Sequence, residues 1–167
     1  MLLVRRLTPE DLDVFRDVRL RALTDTPENY GSIAAAERAQ SDEEWLERLA
    51  GDAWFAAFDD DRAVGLVAGR ARDGDWILYS MWVSAEARGQ GLGTKLLGEV
   101  RSAAEADGAG ELWLHVAEDN ERARRLYLKL GFVATGELEP MPNDVTRQRE
   151  RLFYVLPHLP VTKGSSK

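Results

Sequence analysis

Three glycines at alternate positions, in Arg88-Gly89-Gln90-Gly91-Leu92-Gly93-Thr94, constrain this chain more than any other stretch. They follow a run with strand character, Trp76 to Ser84. They open a segment from about Gly91 to Ala106 whose Leu92, Leu96, Leu97, Val100, Ala103 and Ala104 fall on one helical stripe. A strand that feeds a helix in this way crosses over, so the next strand, Leu112 to Val116, is expected to lie parallel to the first. Glycine adopts backbone conformations closed to other residues and lets the main chain approach a ligand closely. The exposed amides at a helix N-terminus favour an anion, most naturally a phosphate or pyrophosphate, and Arg88 adds positive charge at the mouth. The plain alternative is a loop that needs glycines only in order to turn.

Two familiar phosphate loops do not match. The dinucleotide pattern G-x-G-x-x-G would put glycine at Thr94, and the stretch lies mid-chain rather than in an opening β-α-β unit. The pattern G-x-x-x-x-G-K-[ST] fails because Thr94 separates Gly93 from Lys95 and Leu96 follows.

Around the turn, the periodicity predicts a mixed α/β (α+β) fold. Leu2 to Leu7 reads as an opening strand. Thr8-Pro9-Glu10-Asp11 starts a helix carrying Leu12, Phe15, Val18 and Leu23. Residues 24–40 read as a loop with a partial second helix, and Ser41-Asp42-Glu43-Glu44 caps a short helix with Trp45, Leu46 and Leu49. Trp54 to Phe58, Ala63 to Ala71 and Trp76 to Ser84, parted by Asp59-Asp60-Asp61 and Asp73-Gly74, read as an antiparallel meander. A further helix runs from about Asn120 to Leu130 and ends at Gly131, a left-handed cap. Phe132 to Thr135 and Leu152 to Leu156 are expected as the last strands, with a loop between them that holds Pro140 and Pro142. With 167 residues and no internal repeat, one domain over 1–156 is expected, and 157–167 reads as a disordered tail.

Composition excludes several function classes. There is no cysteine, which removes disulfides, thiolate metal sites and cysteine nucleophiles, and His115 and His158 alone make no zinc site of the usual kind. A net charge of −7 disfavours non-specific binding to nucleic acid or anionic lipid. No apolar stretch reaches the ~18 residues of a membrane helix, and Arg5 and Arg6 stand where a signal peptide would need its apolar run. A cytoplasmic protein is the expectation, and the excess of arginine over lysine fits a GC-rich bacterial genome.

What the spacing does match is R-x-x-G-x-G, as Arg88, Gly91 and Gly93. Here the chain resembles the GNAT superfamily of acyl-CoA-dependent N-acyltransferases. Downstream, Asn120-x-x-Ala123-x-x-x-Tyr127 followed by Gly131-Phe132 resembles the second hallmark segment, and Met81-Trp82-Val83 leads into the turn as the family's fourth strand does. The resemblance covers residues 76–135 in the right order. It implies a central, mostly antiparallel sheet of about seven strands with a splayed parallel pair and about four helices. It further implies that acetyl-CoA is the cosubstrate, with no metal. The amides from Arg88 to Thr94 (Gly89, Gln90, Gly91, Leu92 and Gly93 between them) would wrap its pyrophosphate, and the main chain of the Met81-Trp82-Val83 segment, through Met81 and Val83, would pair with pantetheine. Asn120 would hydrogen-bond the pantetheine arm, and Tyr127 would sit by the thioester sulfur as general acid. The activity implied is transfer of an acetyl group to a primary amine by direct attack in a ternary complex, and homodimers are common among such proteins.

Asn120, Ala123 and Tyr127 stand at i, i+3 and i+7 and so share a helix face. A thiol's reference pKa is about 8.5 and a phenol's about 10, so full proton transfer from Tyr127 costs about 2 kcal/mol. Hydrogen bonding to the developing thiolate, with late transfer, costs far less. Asn120 as a mere helix cap and Tyr127 as a core tyrosine remain the bland readings. Arg122, Arg124 and Arg125 could face the ribose phosphate or simply solvent. An amine of pKa about 10.4 needs about 4.6 kcal/mol to be neutral at pH 7, so a base would help. Some family members carry a glutamate in the fourth strand, whereas this chain has Tyr79-Ser80-Met81-Trp82 there. Glu37, His115, a water chain or an already neutral substrate stay open as the base. For the acceptor site the family analogy offers Tyr30, Ser32, Glu37, Glu137, Glu139 and Asp144, with Trp76, Tyr79 and Trp82 as walls. Two other functions stay open: a non-catalytic acyl-CoA-binding regulatory module, and an acetyltransferase acting on protein N-termini or lysines.

Overall fold

The structure, a computed structural model, describes residues 1–29 and 33–157. Strand β1 (Leu2–Arg6) is followed by a short 3-10 turn and helix α1 (Leu12–Asp25). A five-residue helix α2 (Ala34–Arg38) and α3 (Asp42–Gly51) come next. Then come β2 (Ala53–Asp59), β3 (Arg62–Arg72) and β4 (Asp75–Val83), the expected meander. Helix α4 (Leu92–Ala106), β5 (Glu111–Ala117), α5 (Glu121–Lys129), β6 (Val133–Met141) and β7 (Asp144–Val155) complete the chain. The strands form one sheet in the order β1-β2-β3-β4-β5-β7-β6, and every pair is antiparallel except β4–β5. That is the mixed fold the residue patterns predict, with four helices of seven or more residues among those described and α2 as a fifth. Tyr30, Ser32 and, apart from Pro157, the residues of the expected tail lie outside the described residues.

Helices cover the sheet on both faces because strands alternate their side chains. Leu92, Leu96, Val100 and Ala104 of α4 and Tyr127 of α5 pack with Leu112, Leu114 and Val116 of β5 in one core. Phe15, Val18 and Leu23 of α1 and Trp45 and Leu49 of α3 pack with Trp54, Leu66 and Trp82 in a second, on the opposite face. Phe15 anchors that second core, 5.4 Å from the Trp45 ring and 4.6 Å from Trp54.

One expectation is corrected. The span between Thr135 and Leu152 is no loop: β6 and β7 are long and form a hairpin that turns at Pro142 and Asn143. Its ladder is polar, with Glu139 opposite Arg149 and Leu138 opposite Glu150, so the apolar alternation that betrays a strand is missing. Pro140 is tolerated because β6 is the edge strand of the sheet, and β7 lies between it and β5.

Glycines in β3 let α4 lie close on the sheet. A Cβ at Gly69 would come within 2.7 Å of Val100 and 3.1 Å of Trp76, and one at Gly65 within 3.1 Å of Leu96. Gly69→Ala therefore overpacks the first core, and we expect a loss of about 1–3 kcal/mol in urea denaturation.

Candidate active site

The parallel pair β4–β5 is joined only at Trp76–Leu112 and Ile77–Trp113. Beyond these residues the strands part, although each keeps its other neighbour, β3 or β7. A bulge accompanies the parting: Leu66 faces Trp82 but Ala68 faces Tyr79, so β4 carries one residue more than β3 over this stretch. Ser80 takes the strain with φ of +58°, rare for a residue with a side chain. Arg19 of α1 holds it, its Nη1 donating to Ser80 Oγ at 2.9 Å. The same guanidinium donates through Nε and Nη2 to Glu37 Oε1 and Oε2 at 2.9 and 3.0 Å, and both residues are buried. Arg48 of α3 adds a third bond to Glu37, from Nη1 to Oε1 at 2.9 Å. Sequence reasoning missed Ser80 and Arg19. The available signal was an arginine within the apolar stripe of α1, between Val18 and Ala22.

The bulge and the ladder decide which backbone groups face the opening. Ser84 N–H donates to Val64 C=O at 2.8 Å, so Trp82, two residues earlier, also turns its backbone groups to β3. Those of Met81 and Val83 turn the other way, toward the gap between β4 and β5. The Trp82 side chain is buried in the second core, its Nε1 donating to Asp25 at 3.0 Å. Arg88 is tied down as well. Its Nε donates to Val83 C=O at 3.0 Å, and its Nη2 lies 3.4 Å from Asp25. It positions the start of the glycine turn against the end of α1.

Within the turn the glycines differ. Gly89 and Gly91 have φ of +80° and +79°, and a Cβ on either would meet open space, so their role is conformational. Gly91 is the N-cap of α4, which leaves the first amides of the helix without intrahelical acceptors. Gln90 and Thr94 are exposed, while the Leu92 side chain is in the core. Gly93 is helical, and a Cβ there would lie 3.0 Å from Leu126 of α5. That close approach brings the two hallmark segments together, for Tyr127 is the next residue. Tyr127 is buried against Phe132, with ring centroids 5.8 Å apart. Asn120 does cap α5, its Oδ1 accepting from Ala123 N–H at 3.3 Å, and this occupies the carbonyl end of its amide. Arg124 pairs with Glu150, while Arg122 and Arg125 are exposed, Arg125 lying 3.6 Å from Glu121.

The described residues considered for the acceptor divide between the two faces of the sheet. Glu37 has its oxygens committed to Arg19 and Arg48, which unsuits it to accept a proton. Tyr79 donates to Asp52; burial first, and then that carboxylate, push its phenol well above the ordinary value. Glu139 is bound by Arg149 at 2.6 Å, Glu137 lies 3.9 Å from Arg151, and Asp144 accepts from the Thr146 N–H and hydroxyl. Trp76 lies in the first core, its Nε1 donating to Asp107 at 2.7 Å. His115 is half-buried beside Trp113, 3.4 Å from Glu139. Burial and the nearby Arg149 lower its pKa, with Arg151 and Arg72 adding to the effect and Glu139 opposing it. Separately, a cleft of 690 Å³ lined by Asp17, Arg21, Asp25, Trp82, Ser84 and Glu86 opens on the α1 side of β4. Among the described residues no group of three or more His, Cys, Asp or Glu side chains is placed to hold a metal, and no helix is long and apolar enough to cross a membrane.

The lowered His115 pKa has a sign. The unfolded chain takes up this proton near the ordinary 6.5 while the folded chain resists it, so stability is full above pH 6.5 and falls as pH drops toward the folded value. His115→Gln is expected to flatten the pH dependence of the melting temperature in that window.

Comparison with known proteins agrees with this geometry. The chain is 27% identical over 139 residues to an uncharacterized N-acetyltransferase of Methanocaldococcus jannaschii, a match covering 77% of this chain and 59% of that protein. The chain thus spans less than two thirds of that relative's length. An acetyltransferase of the GNAT family from Streptococcus pneumoniae superposes with a TM-score of 0.81 at 22% identity, covering 94% of this chain and all of the other. YncA from Salmonella typhimurium, solved with its cofactor acetyl-CoA, superposes with a TM-score of 0.74 at 19% identity over 95% and 96% of the two chains. The sequence pattern of the acetyltransferase (GNAT) family matches residues 16–132, from α1 through the glycine turn to the end of α5, and the chain belongs to that family.

Proposed function

We propose that this chain transfers an acetyl group from acetyl-CoA to an amine by direct attack in a ternary complex. The observation that carries the reading is the Gly93–Leu126 approach, which packs α5, the helix that carries Tyr127, against the open N-terminus of α4. The relative from M. jannaschii and the acetyl-CoA complex of YncA support the same chemistry.

In this reading the amides from Arg88 to Thr94 take the pyrophosphate, where the helix dipole and unpaired N–H groups favour negative charge. Gly89 and Gly91 supply the left-handed backbone that aims them. Pantetheine lies in the gap as a false strand along Met81 and Val83, with Trp82 holding β4 to the sheet behind it. Val83 C=O, which now accepts from Arg88, would be shared or released when the ligand lies down. Asn120 offers its amide N–H₂ group to the pantetheine arm while its carbonyl caps α5. The amine nitrogen attacks the thioester carbon, a C–N bond forms and the C–S bond breaks. The sulfur leaves as thiolate, stabilised by the Tyr127 hydroxyl and protonated late. The nitrogen loses its proton to solvent or to His115, whose lowered pKa keeps the imidazole neutral at pH 7.

Acetyl-CoA at 100 times its dissociation constant should stabilise the protein by about 2.7 kcal/mol, a rise of about 5 to 11 °C in melting temperature. Gly91→Glu, which puts charge and a side chain at a left-handed position, is expected to abolish that rise in a folded variant. No rise with the unsubstituted protein at millimolar acetyl-CoA would refute the proposal. Tyr127→Phe should lower kcat about a hundredfold with little change in acetyl-CoA affinity. Unchanged turnover would remove Tyr127 from the mechanism.

A further inference from the structure

The sheet face opposite α4 and α5 is divided. Helices α1 and α3 pack over β2, β3 and the bulged half of β4, and among the described residues the second core holds none from β5, β6 or β7. Trp113 and His115 point to this side, since Leu112, Leu114 and Val116 between and around them face the first core. Trp113 stands at the last paired position before β4 and β5 part, and His115 is the next residue of β5 on the same face. This is the floor an acceptor meets when it approaches the opening from the side away from α4.

Arg72, Arg149 and Arg151 stand around this floor, and Glu111, Glu137 and Glu139 stand there with them. Of the acids considered for the acceptor site, Glu139 is held by Arg149 and Glu37 by Arg19 and Arg48. Two arginines are left with little. Arg72 lies 5.9 Å over the Trp113 ring, and its nearest carboxylate is that of its own neighbour Asp73, at 4.0 Å and exposed. Arg151 lies 4.7 Å over the same ring, reaches Glu137 only at 3.9 Å, and has a buried Nε with no hydrogen-bond partner. A buried donor left unmade is costly, and stacking on an indole fixes a guanidinium without satisfying its N–H groups. The two forks are braced and underused, which is the arrangement that recognises a carboxylate or phosphate.

We infer that the amine acceptor carries an anionic group, carboxylate or phosphate, which Arg72 and Arg151 bind beside Trp113 at the closed end of the β4–β5 opening. The inference rests on the acetyl-transfer reading above and narrows it to a class of acceptor. The anion lies next to Trp113 and the amine points along β5 toward His115, about 6.5 Å further on. Polycations are repelled by the same charges. The arginines also favour the neutral form of the incoming amine; at His115 burial is the larger cause of the lowered pKa, with Arg149, Arg151 and Arg72 adding to it and Glu139 opposing.

The test compares matched amines with acetyl-CoA. 4-Aminobutyrate is set against butylamine and putrescine, and phosphoethanolamine against ethanolamine, so that the carboxylate and phosphate sources are read separately. In at least one series the anion-bearing amine should exceed its neutral and cationic counterparts by about tenfold or more in kcat/KM. Arg72→Gln and Arg151→Gln should each bring that ratio toward unity while leaving the acetyl-CoA melting shift intact. Arg72 is exposed, so its variant remains informative if Arg151→Gln fails to fold, and Arg101→Gln on the other face should change neither quantity. The inference is overturned if neutral or cationic amines are preferred in both series, or if no anion-bearing amine is turned over by protein that binds acetyl-CoA. It also fails if the ratio survives both arginine variants. Absence of any acetyl-CoA shift in the unsubstituted protein instead overturns the acetyl-transfer reading itself.

Discussion

The buried ion pair between Arg19 and Glu37 is the interaction on which the shape of the site depends. Its side chains are 8% and 6% exposed, so each charge has lost most of its water and neither could stay without the other. What remains of the Arg19 fork is spent on Ser80, the residue that absorbs the bulge of β4. The pair thus links α1 and α2 to the one strand that must leave its parallel neighbour, and Arg48 ties in α3. A bulge alone bends a strand. A bulge clamped from behind by a buried fork bends it in one place, so the gap between β4 and β5 starts at a defined residue.

On the other side of the gap the constraint is steric. Gly93 contributes absence, since a Cβ there would press on the Leu126 side chain of α5 at 3.0 Å. Positive-φ glycines at 89 and 91 and the helical glycine at 93 therefore do different jobs within five residues of sequence. The first two shape the turn that exposes the helix amides, and the third makes room for the Leu126 side chain of α5. Electrostatics follow the same economy. Glu37 and Glu139, which look available in the sequence, are held by arginines folded onto them, while Arg72 and Arg151 stack on Trp113.

Much of this was legible beforehand. The β2–β4 meander, the α4 stripe and the α5 motif are written in local periodicity and turn chemistry, and all stand where their residues predict. The β6–β7 hairpin was not legible, because from Leu138 to Met141 its pairs set charged or polar residues against charged and apolar ones, with no regular alternation to read. Ser80 was hidden for a related reason: a bulge is a relation between two strands, and nothing in Tyr79-Ser80-Met81 announces which residue is extra. Asn120 was read both as a ligand group and as a helix cap, and the fold adds the cap without deciding the other role.

By itself the sequence determined the element order, the position of the glycine turn ahead of an amphipathic helix, and the absence of cysteine chemistry. These depend on spacing along the chain and on residue type, which folding does not alter. Only the tertiary structure decided that Gly93 serves packing, that Trp82 faces a core and not the gap, and that Glu37 is a clamp and not a base. It alone decided that Arg72 and Arg151 meet over one tryptophan. Each of these turns on partners far apart in sequence, whose distances and burial exist only once the sheet has formed.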